Sequence, residues 1–156
     1  MRFLPLLVLT IAAAGCASGG ATSERSGPPS RWSGNFQPQQ QLSGSVEATG
    51  SARMFGTVSL SPVSDPNRTR ITLMINSPVG NTTLKWAVFP GRCGSPSLPV
   101  MAVDRFPPLE FSANGRGQLD VELALTYPTS GTYHVAVFRG NGTDASDTIA
   151  CANLRS

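Results

Sequence analysis

The segment TTLKWAVFPGRC, residues 82–93, decides the fold that this sequence predicts. Leu84, Trp86 and Val88 recur at every second position, which is the pattern of a β-strand with one buried face. A Pro-Gly pair then breaks the strand just before Cys93. The natural partner is TIACAN, residues 148–153, which carries Cys151 near the end of the chain. We therefore predict a β-sandwich in which the first segment is a central strand and the second is the closing strand.

The first 15 residues have the pattern of a signal peptide. A basic Arg2 precedes an apolar run, residues 3–14, that is too short to cross a bilayer as a helix. The small residues before Cys16 resemble the lipobox of bacterial lipoproteins, in which the signal is removed and the cysteine acylated. The residue after the cysteine is Ala17 rather than Asp, which fits outer-membrane sorting with the protein facing the periplasm. The alternative is an ordinary secretory signal with Cys16 unmodified.

The number of cysteines agrees with this interpretation. Three cysteines in an exported chain leave one without a partner. If Cys16 carries lipid, Cys93 and Cys151 remain to pair in an oxidising compartment. A metal site or a redox pair fits less well, because the chain has no CxxC and a single histidine.

Composition divides the chain into three parts and limits its partners. Residues 16–41 are rich in Gly, Ser, Pro and Gln, which predicts a lipidated flexible tether. Trp32 and Phe36 are its large apolar residues. They dock on the domain, contact the membrane interface, or are simply apolar residues of a linker. Residues 42–156 then form one domain. Without Arg2, 11 basic residues face 9 acidic ones, a scattered balance that predicts no nucleic-acid binding.

Alternating patterns place further strands in the domain. A weak first strand is predicted over residues 42–47 and clearer ones over 54–60 and 68–76, the last with Ile71, Leu73 and Ile75 inward. The sequence NGRG, residues 114–117, is typical of a hairpin turn. With residues 118–125, 132–139 and 148–153, the total is seven to eight antiparallel strands. This predicts an all-β, Greek-key sandwich.

Two segments resemble a known family. WAVFPGRCG, residues 86–94, and TIACANL, residues 148–154, are similar to the two cysteine segments of copper/zinc superoxide dismutase-like (CHRD-like) domains. The resemblance implies a superoxide dismutase-like sandwich with a Cys93–Cys151 disulfide. The family's copper-binding histidines, however, correspond here to Ala87 and Phe89. With His134 the single histidine of the chain, the resemblance implies the fold without the enzyme's metal site.

We therefore expect a non-catalytic β-sandwich without cofactor, anchored by lipid, that binds an envelope protein, a cell-wall component or a ligand, or has a structural role. The strand pattern puts four residues on an outward face, where they form a possible interaction patch: Ala87, Phe89, His134 and Phe138. The alternative is that a loop, such as residues 96–108, covers this face. The oligomeric state does not follow from the sequence.

Two other functions have candidate residues. A copper-handling or dismutase-related protein with a degenerate site would use His134 with methionine thioethers, namely those of Met54, Met74 or Met101. A hydrolase would use Asp120 and Glu122, which lie two apart on one face of a predicted strand, although such carboxylates are more commonly solvated.

The anchor has a direct test. Replacing Cys16 by Ser removes the thiol that would receive the lipid, so the variant should leave the membrane fraction and become soluble. Fractionation of cells that produce either form measures this, with a Ser18→Ala variant as the matched control. Continued membrane residence of Cys16→Ser would contradict lipidation at this position.

Overall fold

The computed structural model describes residues 30–38 and 54–156. In these residues the chain forms nine strands, and two short 3-10 turns, Val103–Arg105 and Ala145–Asp147, are the helical elements. No helix in these ranges is long and apolar enough to cross a membrane. The strands are β1 Trp32–Pro38, β2 Phe55–Pro62, β3 Thr69–Asn76, β4 Thr83–Leu84, β5 Trp86–Pro90, β6 Leu109–Glu110, β7 Arg116–Leu123, β8 Tyr133–Phe138 and β9 Thr148–Asn153.

Seven strands form one curled antiparallel sheet in the order β5-β8-β9-β1-β2-β3-β7, and β4 pairs with β6 separately. The sheet has two halves that share β1. Residues 32–36 of β1 pair with β2, and Gln37 and Pro38 pair with β9. The curl brings the inner faces of the two halves together, which confirms the predicted all-β sandwich.

The core lies between those inner faces. Ile71, Leu73 and Ile75 are buried as predicted, and Trp86 is fully buried on the opposite half. A buried indole N–H needs an acceptor. The Trp86 indole donates to the Pro107 carbonyl over 2.7 Å and packs edge-on against Phe106. The proline-rich section after β5 is therefore loop, and it closes one end of the core.

The segment over residues 82–93 differs from its prediction in two ways. It forms two strands, β4 and β5, with Lys85 between them, and β5 lies at the edge of the seven-stranded order. The Lys85 carbonyl accepts the N–H of Phe138, and the Val88 carbonyl accepts that of Val100 in the following loop. Alternation identified the inward side chains Leu84, Trp86 and Val88, but it could not distinguish a central strand from an edge strand that a loop covers.

The predicted flexible tether is wrong over residues 32–38, which form β1. The Trp32 side chain is 4% exposed and that of Phe36 is 3% exposed. The Trp32 indole donates to the Pro128 carbonyl over 2.7 Å, and its ring packs edge-on against Tyr133. The two aromatic residues therefore dock on the domain because they share the inner face of a strand. The domain begins earlier than residue 42.

A close contact explains why β1 has a glycine at position 34. A Cβ at Gly34 would lie 2.5 Å from the Asn153 carbonyl oxygen, so only glycine fits between β2 and β9 there. The signal peptide, Cys16, the remainder of the tether and the strand predicted over residues 42–47 lie outside the described residues.

The two other local predictions are confirmed. Cys93 and Cys151 form a disulfide across 58 positions. Residues 112–115 form the turn before β7, in which Gly115 has φ 74° and donates its N–H to the Ser112 carbonyl. A positive φ is the conformation for which glycine is suited.

Removal of the disulfide should destabilise the fold. The pair closes a loop of 58 positions, which in the chain-entropy model corresponds to about 4 kcal/mol. A Cys93→Ala, Cys151→Ala double variant should lose about that free energy of unfolding, measured by urea denaturation. Wild-type protein with reductant is the matched control and should unfold near the variant's midpoint. An unchanged midpoint in the variant would contradict this estimate.

Candidate functional site

The predicted interaction patch is not exposed. Its four side chains are between 0% and 7% exposed: Ala87, Phe89, His134 and Phe138. Strand register places Ala87 opposite Ala136 and Phe89 opposite His134, so the residues do share one face of β5 and β8. The prediction of a common outer face is confirmed, and of the two alternatives for this face, a free patch or one covered by a loop, the structure shows the covered one.

The loop that follows β5 is fastened to this face. Its Cys93 is bonded to Cys151 of β9, and the Cys93 N–H donates to the Asn153 side-chain oxygen over 2.8 Å. The Gly91 carbonyl lies 3.1 Å from Nδ1 of His134. Beneath the loop, the Phe89 ring stacks on the His134 ring with centroids 5.2 Å apart. The aromatic side chains therefore contribute to packing.

The chemical state of His134 follows from this geometry. A carbonyl oxygen only accepts hydrogen bonds, so Nδ1 carries the proton. Burial lowers the pKa of His134 below its usual value, and the hydrogen bond to Gly91 opposes this effect. The ring is thus a neutral packing group.

Two of the three methionines proposed as partners of His134 are poorly placed for a shared copper site, and the third, Met101, packs partly buried against the core. Met74 lies on β3, which is four strands from β8 in the sheet order and belongs to the other half of the sandwich. Met54 is buried in the core. Among residues 30–38 and 54–156, no group of three His, Cys, Asp or Glu side chains is placed to hold a metal ion.

The proposed catalytic carboxylates occupy an ion-pair network on the outer face. Glu122 accepts a hydrogen bond from Arg70 over 2.6 Å, and Asp120 lies 3.7 Å from the same guanidinium. Arg68 also donates to the Glu122 carbonyl. Both acids therefore face a cation on a solvated strand surface, which is the common structural arrangement for such a pair.

A cleft of about 830 Å³ lies elsewhere on the outer face, across β9, β1, β2 and β3. Register explains which side chains it collects. Ser33 pairs with Ser59 on one side and with Arg155 on the other, and Gln37 pairs with Cys151. The described lining residues are Arg31, Ser33, Gly34, Asn35, Gln37, Thr57, Val58, Ser59, Thr72, Met74, Cys93, Cys151, Asn153 and Arg155.

The cleft is polar and cationic. Two of its described lining residues are arginines, and no described lining residue is acidic. Arg31 donates to the Ser59 hydroxyl over 2.8 Å, which holds its guanidinium over the floor. The disulfide and the Cys93–Asn153 hydrogen bond lie along one wall. The arrangement can donate many hydrogen bonds to a bound ligand, and the charge favours an anionic one.

Sequence reasoning found one wall of this cleft and missed its floor. The disulfide was predicted, whereas Arg31, Asn35 and Arg155 were not singled out. These residues come from opposite ends of the domain and meet only because β1 pairs with β2 and also with the chain near β9. The alternation of Trp32, Gly34 and Phe36 with polar residues was the signal that could have revealed β1 and its polar outer face.

No protein-family model matches the chain, and no curated protein matches it significantly.

Burial of His134 predicts a pH dependence of stability. Its folded pKa is lowered from 6.5, so below about pH 6.5 the unfolded chain binds the proton more readily than the folded one. Stability from this group is fully present above that pH and is lost as pH falls toward the folded pKa, at no more than about 1.4 kcal/mol per pH unit. Urea midpoints at several pH values between 7.5 and 5 measure this.

The matched variant is His134→Asn, which keeps a donor for the Gly91 carbonyl but does not titrate. The difference in unfolding free energy between wild type and variant should shrink or reverse as pH falls. A difference that is constant between pH 7.5 and pH 5 would show that His134 does not titrate differently in the folded and unfolded states.

Proposed function

We propose that this protein is a non-catalytic binding module of the bacterial envelope, and that its ligand occupies the cleft across β9, β1, β2 and β3. The observation that carries the proposal is the cleft itself, an 830 Å³ polar concavity. Cavities of this size accommodate ligands, and convergent polar groups are what fixes a ligand's orientation.

The cleft has a rigid support. Its floor strands β1, β2 and β3 each have a hydrogen-bonded strand on both sides. Arg31 is held at Ser59, and Asn153 is held by the N–H of Cys93. A site whose side chains are already ordered loses less conformational entropy when it binds.

The non-catalytic part of the proposal rests on the positions of the candidate groups. Asp120 and Glu122 are engaged by Arg70, and His134 is enclosed by Phe89 and the loop after β5. The described lining of the cleft contains no histidine or carboxylate that would act as a base.

The proposed location rests on the N-terminal sequence. The proposal places the protein on the periplasmic side of the outer membrane, held by lipid at Cys16, with a cell-wall component, an envelope protein or a small ligand as its partner. A kinship with copper/zinc superoxide dismutase-like domains, without their metal ligands, is part of the same proposal and rests on the two cysteine segments. A disulfide is compatible with an exported location.

Blocking the cleft tests this function. Thr57 lies on the cleft floor and is exposed, so Thr57→Trp should fill the cleft without disturbing the core. Fractions of an envelope extract, enriched in glycan, peptide or lipid, are added to the full-length protein, and the thermal midpoint is measured. A ligand that binds only the folded state raises the midpoint.

At least one fraction should stabilise the wild type and leave Thr57→Trp unchanged. Thr83→Trp, an exposed substitution on β4, is the control and should respond like the wild type. A stabilisation that is the same in all three proteins, or none in any fraction, would refute binding in the cleft.

A further inference from the structure

We infer that the cleft recognises an acidic glycan, with the oxyanion of the sugar bound between Arg31 and Arg155. This inference rests on the proposed function and adds the chemical class of the ligand. The oxyanion is a carboxylate or a phosphate, since both accept paired hydrogen bonds from a guanidinium.

The two arginines lie on either side of one serine. Arg155 pairs with Ser33 across the β1 edge, and the two backbones exchange hydrogen bonds of 2.8 Å. On the other side of Ser33 lies Ser59, whose hydroxyl accepts from Arg31. The Arg31 side chain is therefore held at Ser59 and the Arg155 backbone at the neighbouring Ser33, and no described lining residue offsets their charge.

Asn153 adds a third donor with a defined orientation. The Cys93 backbone N–H can only donate, so the atom that it meets at 2.8 Å must be the Asn153 amide oxygen. The amide NH₂ of Asn153 is left to serve the cleft. Because Ser33 pairs with Arg155 and Gln37 with Cys151, Asn35 lies opposite Asn153 on the same surface. Charged and neutral donors thus surround the position where an oxyanion would bind.

The remainder of the floor favours a sugar over a peptide. An extended peptide gains most from adding to an open strand edge. The floor strands are internal, so their backbone groups are already paired. What they present is side-chain hydroxyls and amides, from residues such as Thr57, Thr72 and Asn35. These groups suit the hydroxyls of a carbohydrate, and Met74, half-exposed at the cleft margin, offers an apolar surface for a ring face.

Calorimetric titration of the full-length protein tests the inference. The probes are trigalacturonate, glucose 6-phosphate, the neutral trimer galactotriose and inorganic phosphate. At least one acidic sugar should bind about tenfold or more tightly than galactotriose, since a hydrogen bond to a charged group is lost in the neutral probe. The tighter of the two acidic sugars identifies the source of the oxyanion.

Three substitutions locate the binding. Arg31→Gln and Arg155→Gln should each weaken the acidic sugar about tenfold or more. Asn153→Asp keeps an acceptor for the Cys93 N–H but places a negative charge where the NH₂ donor was, so it should weaken binding at least as much. Arg139→Gln is the control and should bind like the wild type. Arg139 is exposed and follows the last residue of β8, at the end of that strand away from His134.

The inference is overturned if neither trigalacturonate nor glucose 6-phosphate binds more tightly than galactotriose. So do unchanged affinities in the Arg31 and Arg155 variants. Inorganic phosphate that binds as tightly as either acidic sugar overturns the glycan part of it. If no probe binds, the inference fails. The proposed function fails with it only if no envelope fraction distinguishes the wild type from Thr57→Trp.

Discussion

The double pairing of β1 is the constraint on which the rest of the structure depends. Its first five residues pair with β2 and its last two with β9, so a single strand joins the two halves of the sandwich. The inner side chains of β1, Trp32 and Phe36, enter the core, while its outer side chains form the floor of the cleft. A substitution that displaced β1 would therefore disturb the core and the candidate site together.

The loop after β5 is the second determinant of the site, and it acts through two bonds. The disulfide ties Cys93 to the outer face of β9, and the hydrogen bond from the Cys93 N–H orients Asn153. Hydrophobic burial alone would not place this loop, because the described part of it near Cys93 is half-exposed. The covalent bond replaces the apolar packing that the loop lacks, and this gives the disulfide a role in the site as well as in stability.

Sequence patterns predicted the fold class, the inward side chains of β3, the turn at Gly115 and the disulfide. These features depend on local alternation, on a conformational preference and on the number of cysteines, all of which are visible in one chain. β1 was missed because glycine, glutamine and proline dominate its neighbourhood, so Trp32 and Phe36 were assigned to a linker. The sequence left open whether Phe89 and His134 are covered, and for a different reason. Alternation tells which residues share a face, but a sandwich strand can have both faces covered, and only the position of a distant loop decides this.

One row of paired residues on the outer face shows why the covered part of that face ends where it does. Strand pairing aligns Phe89, His134 and Asn153 across β5, β8 and β9, and the row continues through Asn35 to Thr57. The ring pair at its start gains from exclusion of water, and the loop that Cys93 fastens supplies that cover. The polar side chains beyond Asn153 would lose hydrogen bonds with water if they were covered in the same way without new partners. The loop therefore ends its coverage where the row changes from apolar to polar. Asn153, bonded to the loop on one side and open to the cleft on the other, marks that change. The same physical requirement that closes the first part of the row leaves the second part available to a ligand that can replace its water.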